Sequence, residues 1–374
     1  MKRLIYADNA ATTQIDFKAY ESMKPYLLQE YANASQLYSF ARQPKKAIQE
    51  ARETIAACIN ALPEEIFFTS GGTESDNWAI KGVAFRNHEH RATITTAFEH
   101  HAVLHACKAI EQLGYPVAYI YPDKNGQISL NALERSITNR TILVSVMYAN
   151  NEIGSIQPIK DLCAIAHSYG ALFHTDAVQA VGHVRIDVND LAVDMLSASA
   201  HKFNGTKGVG FLYIRKGTPI SAYVDGGAQE RGLRAGTENV AGIVCMATAL
   251  KRNLDSLEEN QRHILSLENR LLYRLTQEGI QFTRNGGTNL LPGIISLSFS
   301  GFDGEAILHR LDLMGIAVST GSACNSTSTE ISHVLKAIGL EEVFAKGTIR
   351  ISLGKNNSKE DVDAIVMGLK KILM

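Results

Sequence analysis

The run Ile142-Leu143-Val144-Ser145-Val146-Met147 is apolar at almost every position. A run of this kind fits a β-strand covered on both faces, as the strands of parallel sheets are. Working outward, similar β-rich runs recur at residues 66–69, 93–96, 117–121, 172–175, 195–197 and 209–214. Amphipathic helical patterns separate several of them, among them residues 74–85, 102–113 and 159–169. Short strands alternating with helices predict an α/β fold whose sheet is mainly parallel and covered by helices. A break follows at residues 226–239, which are rich in glycine and charge. Beyond it a long helical stretch is predicted over 240–276, then β-like runs at 294–300, 316–319 and 348–353 with helices near 304–314, 331–338 and 358–373. This remainder reads as a smaller α/β domain.

Composition narrows the function. The chain has 374 residues, 45% of them hydrophobic, enough for a large core and for two domains. A formal net charge of −1 gives no global pull toward nucleic acid or membranes. No apolar run is long enough to span a bilayer, and the start Met1-Lys2-Arg3-Leu4-Ile5-Tyr6-Ala7-Asp8 meets an acid too early for a secretory segment, so a cytoplasmic location is expected. The five cysteines, Cys58, Cys107, Cys163, Cys245 and Cys324, are odd in number and form no CxxC pair. That pattern argues against a disulfide framework and against a structural zinc site. Four lie among apolar residues; Cys324 lies in Gly321-Ser322-Ala323-Cys324-Asn325-Ser326-Thr327-Ser328-Thr329, which reads as an exposed loop.

Several segments just past predicted strands carry chemistry. Ser199-Ala200-His201-Lys202 puts a lysine at the end of a buried strand, where partial desolvation suits an amine to Schiff-base formation. A solvated loop lysine is the competing reading. Phe173-His174-Thr175-Asp176-Ala177-Val178-Gln179 places a carboxylate where open α/β sheets bind ligands. Asp176 can pair with a pyridinium nitrogen or simply cap a helix, and Gln179 can donate to a ring oxygen. Phe68-Thr69-Ser70-Gly71-Gly72-Thr73-Glu74-Ser75 reads as strand, glycine turn and helix start, an arrangement that aims backbone N–H groups at an anion. It is neither a P-loop nor a dinucleotide fingerprint, and Thr73 has a capping role as its alternative. In Glu99-His100-His101 a histidine can stack on a ring and move protons, or sit on the surface. Asn151, after the strand at 142–147, points to the same edge.

Taken in order, these segments resemble the cysteine desulfurases, fold-type I pyridoxal-phosphate (PLP) enzymes of the class V aminotransferase group. The resemblance runs from Tyr6-Ala7-Asp8-Asn9-Ala10-Ala11-Thr12-Thr13 through Thr69-Ser70-Gly71-Gly72-Thr73-Glu74-Ser75-Asp76-Asn77, Asn150-Asn151-Glu152-Ile153-Gly154 and His174-Thr175-Asp176-Ala177-Val178-Gln179. It continues in Glu230-Arg231-Gly232-Leu233-Arg234-Ala235-Gly236-Thr237 and Gly321-Ser322-Ala323-Cys324, and closes at Ile349-Arg350-Ile351-Ser352-Leu353-Gly354. It implies a segment 1–15 packed with the small domain, a large PLP-binding domain over 16–250, and a small domain over 251–374 that carries the Cys324 loop. It also implies that Lys202 binds the cofactor covalently, Asp176 holds its ring nitrogen, and His100 stacks and transfers protons. Gln179 and Asn151 would address the ring oxygen and the substrate. Gly72, Thr73, Ser199 and His201 would hold the phosphate, with Thr237 reaching in from the other subunit of a homodimer. Arg350 would grip the substrate carboxylate as a two-pronged guanidinium, with Asn33 a second candidate.

The implied reaction converts L-cysteine to L-alanine and leaves a persulfide on Cys324, which then serves a sulfur-acceptor protein. The length of the Cys324 loop resembles the long-loop group serving iron–sulfur cluster assembly and general sulfur transfer, while tRNA thiolation and other sulfur routes stay open. Ala200, Tyr38 and Ala34 depart from the residues usual at their positions, and the chain ends at Met374 without the extended tail by which some members dock a scaffold. A selenocysteine lyase or aminotransferase is the alternative within PLP enzymes, and a non-catalytic scaffold the alternative outside them.

Overall fold

The computed structural model describes residues 4–87, 89, 91–321 and 331–374. Cys324 and the rest of segment 322–330 therefore lie outside the described residues. All seven strands expected in the first two-thirds of the chain form one sheet: β2 (Ile66–Thr69), β3 (Ala92–Thr96), β4 (Val117–Ile120), β5 (Thr141–Ser145), β6 (Leu172–Asp176), β7 (Met195–Ser199) and β8 (Gly210–Ile214). Their order is β2-β8-β7-β6-β5-β3-β4. Only β8 runs antiparallel to its neighbours, so the remaining six share one direction. Helices cover both faces, which is why β7 and β8 are buried at every position while the edge strand β4 keeps three half-exposed ones. On one face Phe68, Val144, Val146, Phe173 and Leu196 join a core with Ile55, Met246 and Leu250. On the other, Trp78, Val83, Val103 and Cys107 pack over Leu143, Met195 and Leu212.

A second core lies in the C-terminal part. There β12 (Thr348–Ser352), β10 (Ile294–Ser298) and β9 (Thr283–Arg284) form an antiparallel sheet in that order. Ile295, Leu297, Ile349 and Ile351 meet Leu267, Leu271, Val362 and Leu369 beneath it. The N-terminus returns to this core: β1 (Ile5–Tyr6) pairs in parallel with β11 (Ile316–Ala317), and Ile5 and Ala7 are buried there. The helical stretch expected over 240–276 is in fact two helices, Val240–Asp255 and Leu257–Gln277, broken at Ser256. The break follows from burial. Ile243, Met246 and Leu250 face the large core and Leu267, Leu271 and Leu275 the small one, so no single straight stripe serves both. The short helices His333–Ala337 and Glu342–Ala345 also lean on the large core, through Val334, Leu335 and Ala345. Among the described residues no helix is long and apolar enough to cross a membrane.

The edge strand β2 leads into the glycine turn and is held by charge as well as pairing. Arg52 Nη1 and Nη2 donate to Glu230 Oε2 and Oε1 at 2.8 and 2.7 Å, and Glu230 Oε2 also accepts from Phe68 N at 2.9 Å. Both side chains are buried. Arg234 grips Glu74 in the same two-pronged way, at 2.7 and 3.1 Å, tying the 229–236 loop to the helix that follows the turn. Removing one partner of a buried pair strands the other charge. Arg52→Met should therefore destabilise the chain by about 3–5 kcal/mol, read as a lower urea midpoint, and the added Glu230→Gln should recover part of the loss. An unchanged midpoint would show that the pair contributes nothing net.

Candidate active site

Because six strands share a direction, their carboxyl ends deliver side chains to one edge of the sheet, where ligands bind in open α/β folds. The structure opens a cavity of about 550 Å³ there, within the size range of cofactor sites. It is lined by Gly72, Thr73, His100, Asn151, Asp176, Gln179, Ser199, His201, Lys202 and Arg350, ten of the residues singled out in the sequence. Asn33 and Thr237 do not line it. Asn33 Oδ1 accepts from Ser35 N at 2.9 Å, and Thr237 is exposed. Gly321, three residues before Cys324, does line the cavity.

The glycine turn is shaped by close approach. Gly71 adopts φ 145°, a region open to glycine, and caps the helix Gly72–Arg86. A Cβ on Gly72 would fall 2.6 Å from Val178 Cγ2, and one on Gly210 would fall 2.7 Å from the Gly71 Cα, so backbone rather than side chain faces the cavity. Ser199 is buried at the end of β7 beside this turn. Together they present donors to an oxyanion at a helix N-terminus.

Lys202 Nζ donates to the carbonyls of Ala10 and Ala11 at 2.5 and 2.9 Å, so the N-terminal segment closes over the amine. Gln179 Nε2 donates to the same Ala10 carbonyl at 3.0 Å. His201 Nδ1 lies 3.1 Å from Thr12 Oγ1. Asp176 ends β6 and accepts from Val178 N at 2.9 Å through Oδ1. Burial pushes its carboxyl up to about 6, against the pull of that N–H and of Lys202. His100 caps the helix His101–Gln112, its Nδ1 accepting from Ala102 N at 3.1 Å. Burial, then the Lys202 ammonium, lowers it to about 4. Burial likewise lowers His201 to about 4. Both imidazoles are thus neutral near pH 7, able to stack or to accept a proton.

Arg350 is buried on β12, where Nη2 donates to Asp8 Oδ1 at 2.7 Å and Nη1 to the Asn151 carbonyl at 2.8 Å; its Nε has no partner among the described residues. Glu152 is buried next to it and pushed up to about 7 by that burial, with Ser332 and Arg350 pulling the other way. Ser332 Oγ donates to Glu152 Oε2 at 2.5 Å, and Gly321 packs so closely on this carboxyl that any side chain there would displace it. The residues on either side of segment 322–330 thus meet at one acid.

Sequence reasoning left three buried groups unassigned. Asp76 lines the cavity from the helix Gly72–Arg86. His174, on β6, reaches Ser145 Oγ and Ser197 Oγ, each at 2.9 Å. Glu99 Oε1 accepts from Thr96 Oγ1 at 2.7 Å and Met147 N at 2.8 Å, and burial pushes it up to about 8. Asp76 sits four residues past Gly72, one helical turn in, and that spacing was the available signal.

The site's contents fit PLP on structural grounds: an amine for covalent attachment, a buried carboxylate for a ring nitrogen and a side-chain-free turn for a phosphate. The chain matches the family model for class V aminotransferases over residues 5–365. It is 47% identical over 375 residues to a cysteine desulfurase IscS of Dictyoglomus turgidum, covering 100% of this chain and 95% of that one. The chain belongs to the aminotransferase class V family, as one of its cysteine desulfurases. In the same family, a solved NifS-like protein superposes with a TM-score of 0.94 at 39% identity, covering 99% of each chain. A solved SspA in complex with cysteine gives 0.84 at 37%, covering 96% of this chain and all of that one. Members of the family depend on PLP, and the cofactor of this chain is PLP.

With His100 held neutral by burial, its ring in the cofactor-free chain should titrate near pH 4, as followed by histidine-selective NMR. A midpoint at the ordinary value of about 6.5 would mean that water reaches the imidazole.

Proposed function

We propose that the chain converts L-cysteine to L-alanine, passes the sulfur to Cys324 as a persulfide, and hands it to an acceptor protein. One observation carries the reading: Lys202, Asp176, the Gly71–Gly72 turn, Arg350 and Gly321 all line a single cavity. PLP, when bound, supplies an electron sink that makes bonds next to the substrate amine labile. Lys202 holds it covalently and moves protons at the substrate, and Asp176 receives its ring nitrogen. His100 stacks on the ring and transfers protons, and Gln179 and Asn151 address its oxygen and the substrate. Gly72, Thr73, Ser199 and His201 take its phosphate. Arg350, held in orientation by Asp8 and the Asn151 carbonyl, binds the substrate carboxylate. Asn33, which faces Ser35 rather than the cavity, is the weaker candidate for that carboxylate.

In the sulfur step the C–S bond of cysteine breaks and an S–S bond forms to the Cys324 thiolate. The carbon skeleton keeps the electron pair, takes up protons and leaves as alanine. The other cysteines are poorly suited to this. Burial pushes the thiols of Cys58, Cys107, Cys163 and Cys245 up, Cys58 to about 11 and Cys163 to about 12, so little thiolate is present at pH 7. Alanine and sulfide should appear together from cysteine and a reducing thiol, and both should vanish in Cys324→Ala. Full activity in that variant would favour a selenocysteine lyase or aminotransferase.

The working unit is proposed to be a homodimer. Leu28, Tyr31, Leu37 and Tyr38 expose apolar surface, Leu37 to 97%. Ser35 Oγ in this stretch bonds Glu238 at 3.2 Å, which sets the apolar surface beside the exposed Thr237. There Thr237 would serve the phosphate site of the neighbouring subunit. The proposed division into segment 1–15, a large domain over 16–250 and a small one over 251–374 is supported by the smaller core, which holds Ile5 and Ala7, whereas Val334, Leu335 and Ala345 cross that boundary to join the larger one. A cytoplasmic place, and delivery of the sulfur to iron–sulfur cluster assembly, are proposed with it.

Two variants test the assignments. Lys202→Ala with PLP should lack the visible absorbance of the covalently held cofactor; a wild-type spectrum would move the attachment elsewhere. Arg350→Ala should weaken capture of cysteine by about 2–5 kcal/mol, read mainly in KM. An unchanged KM would relocate the carboxylate site.

A further inference from the structure

Beneath Asp176 lies a second carboxylate that the reaction as described does not use. Asp76 is 1% exposed, and its Oδ1 has no hydrogen-bond partner among the described residues. Its ligand atoms, those of Asp176 and those of His100 include a set lying within 4.8 Å of one another. The groups facing it are few: Asp176 and His174 from β6, Ser197 from β7, and Glu99 and His100 from the turn after β3. None is a standing cation. His174 Nε2 is 3.7 Å from Asp76 Oδ1, but that imidazole is lowered to about 3 by burial and already lies between Ser145 and Ser197. The Lys202 ammonium acts on Asp176.

Two carboxylates this close in a buried site cannot both be charged without a counterion. The surroundings decide which one keeps the proton. Asp176 accepts a backbone N–H and faces Lys202, both of which favour the anion. Asp76 has neither; Ser197 favours its anion, but burial and then the Asp176 charge outweigh that and push it well above the ordinary carboxylate range.

We propose that Asp76 is a positioning residue for the cofactor ring, a neutral acid that holds the proton of the pair so that Asp176 meets the ring nitrogen as the anion. The proposal rests on the reading of Asp176 as the ring partner, and it adds that the charge of Asp176 is set from behind. A carboxyl kept neutral here also leaves His174 uncharged, so the floor of the cavity carries one negative charge against one positive ring.

The test uses the full-length holoenzyme near pH 7 and infrared difference spectra between wild type and Asp76→Asn. A protonated-carboxyl stretch should disappear in the variant. Asp76→Asn replaces a neutral acid by a neutral amide, so the visible cofactor band should keep its pH titration within about half a pH unit. By contrast, a carboxylate stretch lost in Asp76→Asn, with the visible titration moved by a full pH unit or more, would overturn the proposal. A wild-type chain that shows no cofactor band at all would overturn the PLP site itself, and the proposal with it, which separates the two failures.

Discussion

The constraint on which the site depends is a carboxylate taken out of water at the end of a parallel strand. Asp176 closes β6 and is almost fully buried, so the fold must compensate it or leave it protonated. A backbone N–H from Val178 and the Lys202 amine provide part of that compensation. A pyridinium nitrogen would supply the rest. An α/β sheet suits this use because its parallel strands end on one edge while their apolar bodies keep the layer dry.

The N-terminal segment turns this edge into an enclosed cavity. Asp8 holds Arg350, the carbonyls of Ala10 and Ala11 hold Lys202, and Thr12 and Thr13 bond His201. These contacts join residues 188 to 342 positions apart in sequence. The same segment starts in the smaller core, so it couples the position of Arg350 to that of Lys202. The Arg350 guanidinium and the Lys202 amine are thereby set relative to each other by one short stretch of backbone. Glu152, next to Arg350, plays a similar part, where Gly321 and Ser332 converge on a single acid.

Buried acids recur around the cavity: Asp76, Glu99, Asp176 and Glu152. Burial raises all four, and different partners then separate their protonation states. The environment therefore determines which of several identical carboxyl groups is an anion and which is a hydrogen-bonding neutral post. Glu230 shows the structural use of the same group, its charge neutralised by Arg52 to fix the strand that leads to the glycine turn.

The α/β class, all seven strands of the main sheet and ten of the residues lining the cavity were legible in the sequence. Strand burial writes itself as continuous apolar runs, and functional side chains follow those runs at fixed places. The break at Ser256 was not legible, because the apolar pattern on either side is equally helical and only the two separate cores show that it changes partners. Nor was the placement of Asn33 outside the cavity, which depends on where a loop travels rather than on its residues. Asp76 stood in plain view within Thr73-Glu74-Ser75-Asp76-Asn77 as one more polar residue on a helix. The sequence by itself determined which chemical groups exist and which strand each one follows. Only the tertiary structure decided which groups are deprived of water together, and hence which carry charge, because that depends on neighbours brought from distant parts of the chain.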